Sequence, residues 1–268
     1  MAAALAFAAP AYAADIPVRL PVKAPPAPTI YNWSGFYVGA HVGYGRVDPT
    51  ANFNPAILPV AVPGLLTLPT TDAPFALSFH ESGWLGGLQL GYNWQNRNWV
   101  FGLEADVTLP RLRGDASRGY AYHGIIFVDP ADLTGTFRFT HEIEMFGTVR
   151  GRLGYAFDTL LLYATGGFAW GRVESTIMTA NITGTGFPPG LPPDTYNRMA
   201  SANDTMTGYA VGAGLDWAIA RNWWLRGEYL FVALNNGGTP LFIPGGSFTD
   251  TNLAIHVGRI ALNYRFQP

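Results

Sequence analysis

The chain has 268 residues and a net charge of −2; 49% of its residues are apolar, 14% are aromatic and only 13% are charged. Because a soluble domain usually carries about 25% charged residues, these are too few charges to cover a surface that faces water. The absence of cysteine excludes disulfides and thiolate chemistry, and the near-zero net charge argues against nucleic-acid binding through the phosphates.

The N-terminal residues are predicted to precede the folded domain. Residues 1–13 contain an apolar run that ends in an Ala-x-Ala site at 11–13, which predicts the remnant of a secretory signal peptide. Residues 14–32 are rich in proline, which predicts an extended linker. We therefore expect one folded domain over residues 33–266.

Beyond the linker, segments with a hydrophobic period of two alternate with segments rich in turn residues. Eight strands are predicted, at 34–46, 81–95, 98–112, 136–157, 160–174, 205–219, 222–235 and 252–266. Their connections are alternately long and very short, and no apolar run after the N-terminus reaches the roughly 18 residues of a transmembrane helix. This pattern predicts an all-β fold, an eight-stranded antiparallel up-and-down transmembrane barrel with short periplasmic turns and long extracellular loops. The linker would then lie in the periplasm.

Within most of the predicted strands one phase is apolar or aromatic, and the other carries glycine or charge. In strand 98–112, for example, Phe101 and Leu103 oppose Glu104 and Asp106. The lumen of an eight-stranded barrel is only just wide enough for side chains to fill. We therefore expect the aromatic phase to face lipid and the charged phase to face the lumen.

The predicted lumen contains a nearly balanced set of charges. Its members are Glu104, Asp106, Glu142, Glu144, Asp216, Glu228, Arg150, Arg152, Arg226, Arg259 and Arg265. Because an unpaired buried charge costs several kcal/mol, this set indicates a network of ion pairs that fills the lumen. A narrow pore or gate is the alternative, since pairing alone does not distinguish the two.

The fourth predicted strand, 136–157, has the clearest alternation of charge. Glu142 and Glu144 share a phase with the arginines at 150 and 152, and so the whole phase is predicted to face inward. Ile143 and Met145 would then meet lipid.

Aromatic residues lie close to the short turns and the chain termini. Those predicted to form a girdle at the membrane–water interface are Trp33, Tyr92, Trp94, Trp99, Tyr155, Phe157, Trp217, Trp223, Tyr264 and Phe266. Such girdles mark the interface in membrane barrels.

Several motifs together resemble those of a known family. They are WSGFYVGAHVGYG (33–45), LGGLQLGYNWQ (85–95), VFGLEAD (100–106), GTVRGRLGYAF (147–157), YATGGFAWG (163–171) and GRIALNYRF (258–266). With the proline-rich segment before them, they resemble the outer-membrane immunogenic protein family of alphaproteobacteria, porin-like eight-stranded barrels related in architecture to the OmpA transmembrane domain. The resemblance implies a bacterial outer-membrane location, contact with membrane lipid and lipopolysaccharide, and insertion by the outer-membrane assembly machinery. One departure is that Phe266 is followed by Gln267-Pro268, whereas such barrels usually end on an aromatic residue.

No catalytic, metal or cofactor site is predicted from the motifs. His123 and Tyr122, next to a predicted external loop, are weak candidates for haem binding. The apolar, proline-broken loop 47–80 is predicted to contact the barrel mouth, the membrane or a partner protein. An Arg-Gly-Asp sequence at 113–115 is interpreted as an ordinary solvated turn.

The sequence thus predicts a structural and surface-interaction protein, not an enzyme, and the family resemblance implies a role in envelope integrity and in contact with a host or partner. A narrow porin-like pore for ions or small solutes is the first alternative, and a surface receptor for haem or another ligand is the second.

Overall fold

The computed structural model describes residues 31–55, 75–78, 80–126, 129–185, 198–235, 240–243 and 246–266. These residues form eleven strands: β1 (Gly35–Pro55), β2 (Phe75–Ser78), β3 (Glu81–Asn96), β4 (Trp99–Pro110), β5 (Leu112–Ile126), β6 (Asp129–Phe157), β7 (Leu160–Gly184), β8 (Arg198–Ala220), β9 (Trp223–Asn235), β10 (Pro240–Ile243) and β11 (Gly246–Arg265). No helix in this part of the chain is long and apolar enough to cross a membrane. The predicted signal-peptide remnant, and the linker up to residue 30, lie outside the described residues.

Eight of these strands form a closed antiparallel ring. Its order is β1, β3, β4, β6, β7, β8, β9 and β11, and β11 pairs with β1 from Tyr37↔Arg265 to Pro55↔Gly246. Closure leaves no open sheet edge at membrane depth, where an unpaired backbone group would cost several kcal/mol. The predicted eight-stranded barrel is confirmed.

The short turns all lie at one end of the ring. They are two-residue connections at Arg97–Asn98, Asp158–Thr159 and Arg221–Asn222. Arg97 and Asp158 have φ of 56° and 47°, in the left-handed region that two-residue hairpins of the right twist require. Residues 31–34 and Phe266 lie at this same end, because they flank β1 and β11.

The outer face of the ring is apolar over one band. On β3 the exposed side chains of this band run from Trp84 to Trp94, and those of Trp84 and Leu88 have 67% and 69% of their surface exposed. Eleven residues of tilted strand match the roughly 9–11 residues that cross a bilayer. The band is therefore the lipid-facing surface, and its alternation of exposed and buried residues is the predicted one.

Above the band, the strands are longer than the sequence predicted. β1 continues to Pro55, β6 begins at Asp129 and β7 continues to Gly184, while β2, β5 and β10 were not predicted. Parts of the expected loops are therefore strand. The prediction missed them because both sheet faces above the membrane can carry polar residues, so that the period of two weakens.

β6 contains a bulge at Glu144. The register of β6 with β7 passes from Ile143↔Val173 to Met145↔Arg172, which leaves Glu144 as an extra residue. A bulge of one residue exchanges the inward and outward phases of the strand. Phe146 and Thr148 face inward below the bulge, and His141 and Ile143 face inward above it.

Candidate functional site

A layer of eight charged side chains fills the middle of the lumen. Its members, here called the ionic layer, are Glu104 and Asp106 on β4, Arg150 and Arg152 on β6, Asp216 on β8, Arg226 and Glu228 on β9, and Arg259 on β11. All eight are buried, and the four arginines balance the four carboxylates. They face inward because each occupies the phase opposite the lipid-facing residues of its strand.

Arg150 lies at the centre of the ionic layer. Its Nη2 donates to Glu104 Oε1 at 2.7 Å and to Asp106 Oδ2 at 3.0 Å, and its Nη1 donates to Glu228 Oε1 at 3.0 Å. One guanidinium thus joins carboxylates from two different strands. A guanidinium group can bond several carboxylates at once because it is planar and carries five N–H donors. A lysine ammonium group could not make the same set of bonds.

Asp216 joins two further arginines. Arg226 donates to Asp216 through Nε and Nη2, at 2.8 and 3.1 Å, in a bidentate pair. Arg152 Nη2 donates to Asp216 Oδ2 at 2.7 Å, and Arg226 also donates to Glu104.

Arg259 completes the ionic layer on the seam where the ring closes. Its Nε donates to Glu228 Oε2 at 2.6 Å and its Nη1 to Asp106 Oδ1 at 3.2 Å. Two tyrosines add neutral donors, since Tyr163 donates to Glu228 at 3.0 Å and Tyr37 donates to Glu104. The layer is neutral and densely hydrogen-bonded, as a buried set of charges has to be.

An aromatic layer closes the lumen on the side of the short turns. Trp33 and Trp224 are fully buried there, with ring centroids 5.7 Å apart in an edge-to-face arrangement, and Tyr37 lies 5.1 Å from Trp224. Val100, Ala156 and Leu161 pack with them. Two buried amide side chains also lie near this level, since Asn263 is opposite Trp224 in the β9–β11 ladder and Asn93 faces inward on β3.

Residues 31–34 cross this end of the barrel as a strap. The Tyr31 N–H donates to the carbonyl of Asp158 at 3.1 Å, and its hydroxyl donates to the carbonyl of Arg221 at 2.9 Å. The Trp33 N–H donates to Gln95 Oε1 at 2.6 Å. The strap is therefore tied to all three short turns or their flanking strands, which holds the Trp33 ring inside the barrel.

An apolar layer closes the lumen on the other side of the ionic layer. It consists of Val47, Leu85, Ile143, Phe146, Ala169, Val173, Met206, Ala210, Leu230, Val232, Leu234, Leu253, Ile255 and Val257. On β9 the order along the strand is Trp224, then Arg226 and Glu228, then Leu230. The ionic layer is thus held between the aromatic layer and the apolar layer.

Nine of the eleven charges predicted for the lumen lie there. Arg265 is the ninth, but it bonds to the carbonyl of Arg221 at 3.0 Å and lies over the Tyr31 ring, and no carboxylate pairs with it among the described residues. Glu142 and Glu144 were placed wrongly, because the bulge turns them outward. Glu144 instead forms an exposed ion pair with Arg172, at 3.4 Å.

Nine of the ten predicted girdle aromatics lie on the outer face near the short turns. Neighbouring strands bring them together, as in Trp99 with Tyr155 at 5.3 Å and Trp223 with Tyr264 at 4.9 Å between ring centroids. Trp33 is the exception, since it lies inside the barrel and not at the lipid interface. The expectation that Ile143 meets lipid was also wrong, because its side chain belongs to the apolar layer.

Sequence reasoning missed a buried acid above the apolar layer. Glu81, at the start of β3 and beyond the lipid-facing band, is 5% exposed, and no described group bonds to its carboxylate oxygens. Burial raises the pKa of Glu81 to about 7, although nearby His141 lowers it. His141 is itself fully buried, with Nδ1 3.3 Å from the Ser175 hydroxyl. His141 is two residues before Ile143 and therefore faces the same side of the strand, which could have indicated that it is buried. That indication depends on the bulge at Glu144, which the sequence did not reveal.

The remaining candidates fall partly outside the described residues. The backbones of Tyr122 and His123 lie in β5, paired with Leu133 and Asp132, but their side chains are outside the description. Arg113–Asp115 is part of the β5–β6 ladder and not a turn. Residues 56–74 of loop 47–80 are also outside it, and 47–55 belong to β1.

The sequence of the chain matches a known family of outer-membrane proteins. The model of the outer membrane protein beta-barrel domain family matches residues 1–266. The 31 kDa outer-membrane immunogenic protein of Brucella melitensis is 32% identical over 266 residues, covering 97% of this chain and 95% of that protein. The 25 kDa outer-membrane immunogenic protein of the same species is 24% identical, covering 99% and 95%. Among solved structures, the outer membrane protein OprG of Pseudomonas aeruginosa is similar with a TM-score of 0.42 and 9% identity, covering 87% of this chain and 97% of that one.

Proposed function

The chain belongs to the outer membrane protein beta-barrel domain family, and from this premise we propose that it is a closed structural and surface-interaction protein. It resides in the bacterial outer membrane, with the apolar band in lipid. Its proposed role is envelope integrity together with contact between the extracellular strands and a host or partner. The relatives are named as outer-membrane immunogenic proteins, which supports the proposed surface role.

The observation that carries this proposal is the lumen filled by buried side chains. The ionic layer is neutral and lies between the aromatic layer and the apolar layer. A conducting pore needs a continuous polar path, whereas apolar constrictions block ions by dewetting. Three layers in series therefore support a barrel that does not conduct.

Lipopolysaccharide on the outer leaflet and the assembly machinery are the further partners that we propose. For assembly, the end of β11 supports the proposal despite the Gln267-Pro268 extension. Phe266 remains 47% exposed on the outer face, and its N–H donates to the Phe36 carbonyl at 2.9 Å. The terminal alternation of aromatic and polar residues is therefore kept.

Planar-bilayer recording of the full chain tests the closed barrel. We expect no stable conductance steps under conditions in which an open porin, recorded as the positive control, gives them. Heat-modifiable mobility on gels would establish that the inserted protein is folded. Stable and sizeable steps from the folded wild-type protein would instead support the narrow pore, the alternative that the charged lumen allows.

A further inference from the structure

A groove interrupts the outer face of the barrel within the lipid-facing band. It has a volume of about 520 Å³ and crosses four neighbouring strands, β3, β4, β6 and β7. Small residues form its floor and exposed apolar side chains form its walls; these residues are Gly151, Ala164, Gly166, Trp94, Phe101 and Leu153. The groove thus extends from the end of the band near the short turns, at Trp94, to the middle of the band, at Gly151.

Two outward-facing glycines give the groove its depth. Gly151 on β6 pairs directly with Gly166 on β7, so two adjacent side chains are missing from one row of the wall. A Cβ added to Gly151 would meet only the Gly166 carbonyl oxygen at 3.9 Å, and one added to Gly166 would come no closer than 3.7 Å to any atom. Neither glycine has a positive φ. The packing and the backbone of the barrel therefore do not require glycine at these two positions.

The shape of the groove favours a flexible occupant. In a bilayer no hydrophobic effect drives two apolar surfaces together, so an occupant is held by close packing. A flexible acyl chain can follow a groove in a curved wall, whereas the wall of a second barrel is itself convex. A two-fold symmetric contact between copies would also place groove against groove and leave the space unfilled. An acyl chain is therefore the occupant that fits.

A cation lies beyond the end of the groove that is near the short turns. Arg97, in the β3–β4 turn, is exposed and follows Trp94 by three residues, which is roughly 10 Å along the strand. Asp158 lies in the β6–β7 turn, at the opposite side of the groove. Because a guanidinium group binds phosphate in a bidentate manner, Arg97 complements the head group of a lipid whose chain lies in the groove.

We propose that the groove binds an acyl chain of one phospholipid from the periplasmic leaflet, and that Arg97 binds the phosphate of this lipid. The site lies on the outer wall, so the inference goes beyond the proposed function and does not depend on whether the lumen conducts. It depends on the lipid-facing band and on the paired glycines.

Native mass spectrometry of the folded full chain in detergent tests this proposal. The probe is palmitoyl-oleoyl phosphatidylglycerol, titrated into the detergent solution. Gly151→Leu should weaken binding of the first lipid about tenfold, because the leucine side chain occupies the space of the acyl chain. Gly166→Leu serves as the second variant if Gly151→Leu does not fold, as judged by heat-modifiable mobility. Arg97→Gln should weaken binding about threefold, because it removes an exposed charge.

Gly227→Leu is the matched control. Gly227 also faces outward, and an added Cβ there would meet no atom within 4 Å, but it lies between Leu215 and Ile260, outside the groove. Gly227→Leu should therefore leave lipid binding unchanged. Equal weakening by Gly227→Leu and Gly151→Leu, or unchanged binding in Gly151→Leu, would overturn the lipid site.

Two further outcomes would also contradict the proposal. A wild-type dimer that Gly151→Leu dissociates would assign the groove to a second copy of the chain. Unchanged binding in Arg97→Gln would overturn the placement of the phosphate.

Discussion

Glu104 and Arg150 lie directly opposite each other on β4 and β6, and Arg150 Nη2 is 2.7 Å from Glu104 Oε1. Asp216 and Arg226 have the same relationship on β8 and β9. The ionic layer is therefore assembled from cross-strand pairs that the ladder register sets, and the long guanidinium groups then link these pairs across the lumen. A network of this kind depends on every member, because a lost partner leaves a buried charge behind.

Glu104→Gln should lower the free energy of unfolding by about 3–5 kcal/mol, since the charges of Arg150 and Arg226 would lose a common partner. Urea unfolding in detergent micelles, followed by heat-modifiable mobility, measures this. Glu144→Gln is the matched control, because its pair with Arg172 is exposed and worth about 1 kcal/mol or less. Similar losses from the two variants would contradict the buried network.

Replacing both members of the Asp216–Arg226 pair should be less harmful than replacing one. Asp216→Asn leaves the buried arginine only partly compensated, whereas Asp216→Asn with Arg226→Met removes both charges. A double-mutant cycle should therefore show a coupling of about 1–3 kcal/mol. Strict additivity would mean that the pair is not a unit in solution.

Trp223 and Trp224 are sequence neighbours that face opposite sides of the wall. Trp224 is fully buried against Trp33, while Trp223 is 41% exposed on the lipid face. Trp224→Ala should lower the free energy of unfolding by about 3–5 kcal/mol, because it leaves a cavity in the aromatic layer. Trp223→Ala should lower the free energy of unfolding by clearly less. Chemical unfolding of the two variants in the same detergent checks this. Conductance of the Trp224→Ala barrel should stay absent, since the ionic and apolar layers remain.

Glu81 should make stability depend on pH. Burial raises its pKa from 4.5 to about 7, so the folded protein binds the proton more tightly than the unfolded chain. The contribution of Glu81 to the free energy of unfolding is fully present below the pKa of this residue in the unfolded chain. It is lost as the pH rises through about 7, and the loss is at most about 3 kcal/mol.

Unfolding free energies at pH 5 and pH 8 measure this loss. Glu81→Gln should reduce the difference between the two pH values, whereas Glu144→Gln should leave it unchanged. An undiminished difference in the Glu81→Gln protein would assign the pH dependence to another group.

Local patterns predicted the barrel because the bilayer imposes a strong constraint on each strand. A strand with lipid on one face must alternate between apolar and polar residues. Adjacent residues such as Leu103 and Glu104 therefore indicate which face meets lipid and which meets the lumen, even when the neighbouring strands are unknown. The same alternation located the eight members of the ionic layer. It failed above the bulge at Glu144, because one extra residue reverses the phase and no local pattern marked it.

The sequence alone thus determined the number of membrane strands, most of their lipid-facing and lumen-facing residues, and the near-neutral charge of the lumen. Only the tertiary structure decided which charges meet, that Trp33 enters the barrel, and that Glu142 and Glu144 face outward. The features that the sequence determined depend on whether each residue contacts lipid or faces the lumen. Those that only the tertiary structure decided depend on register and on closure of the ring, which are relations between strands distant in sequence.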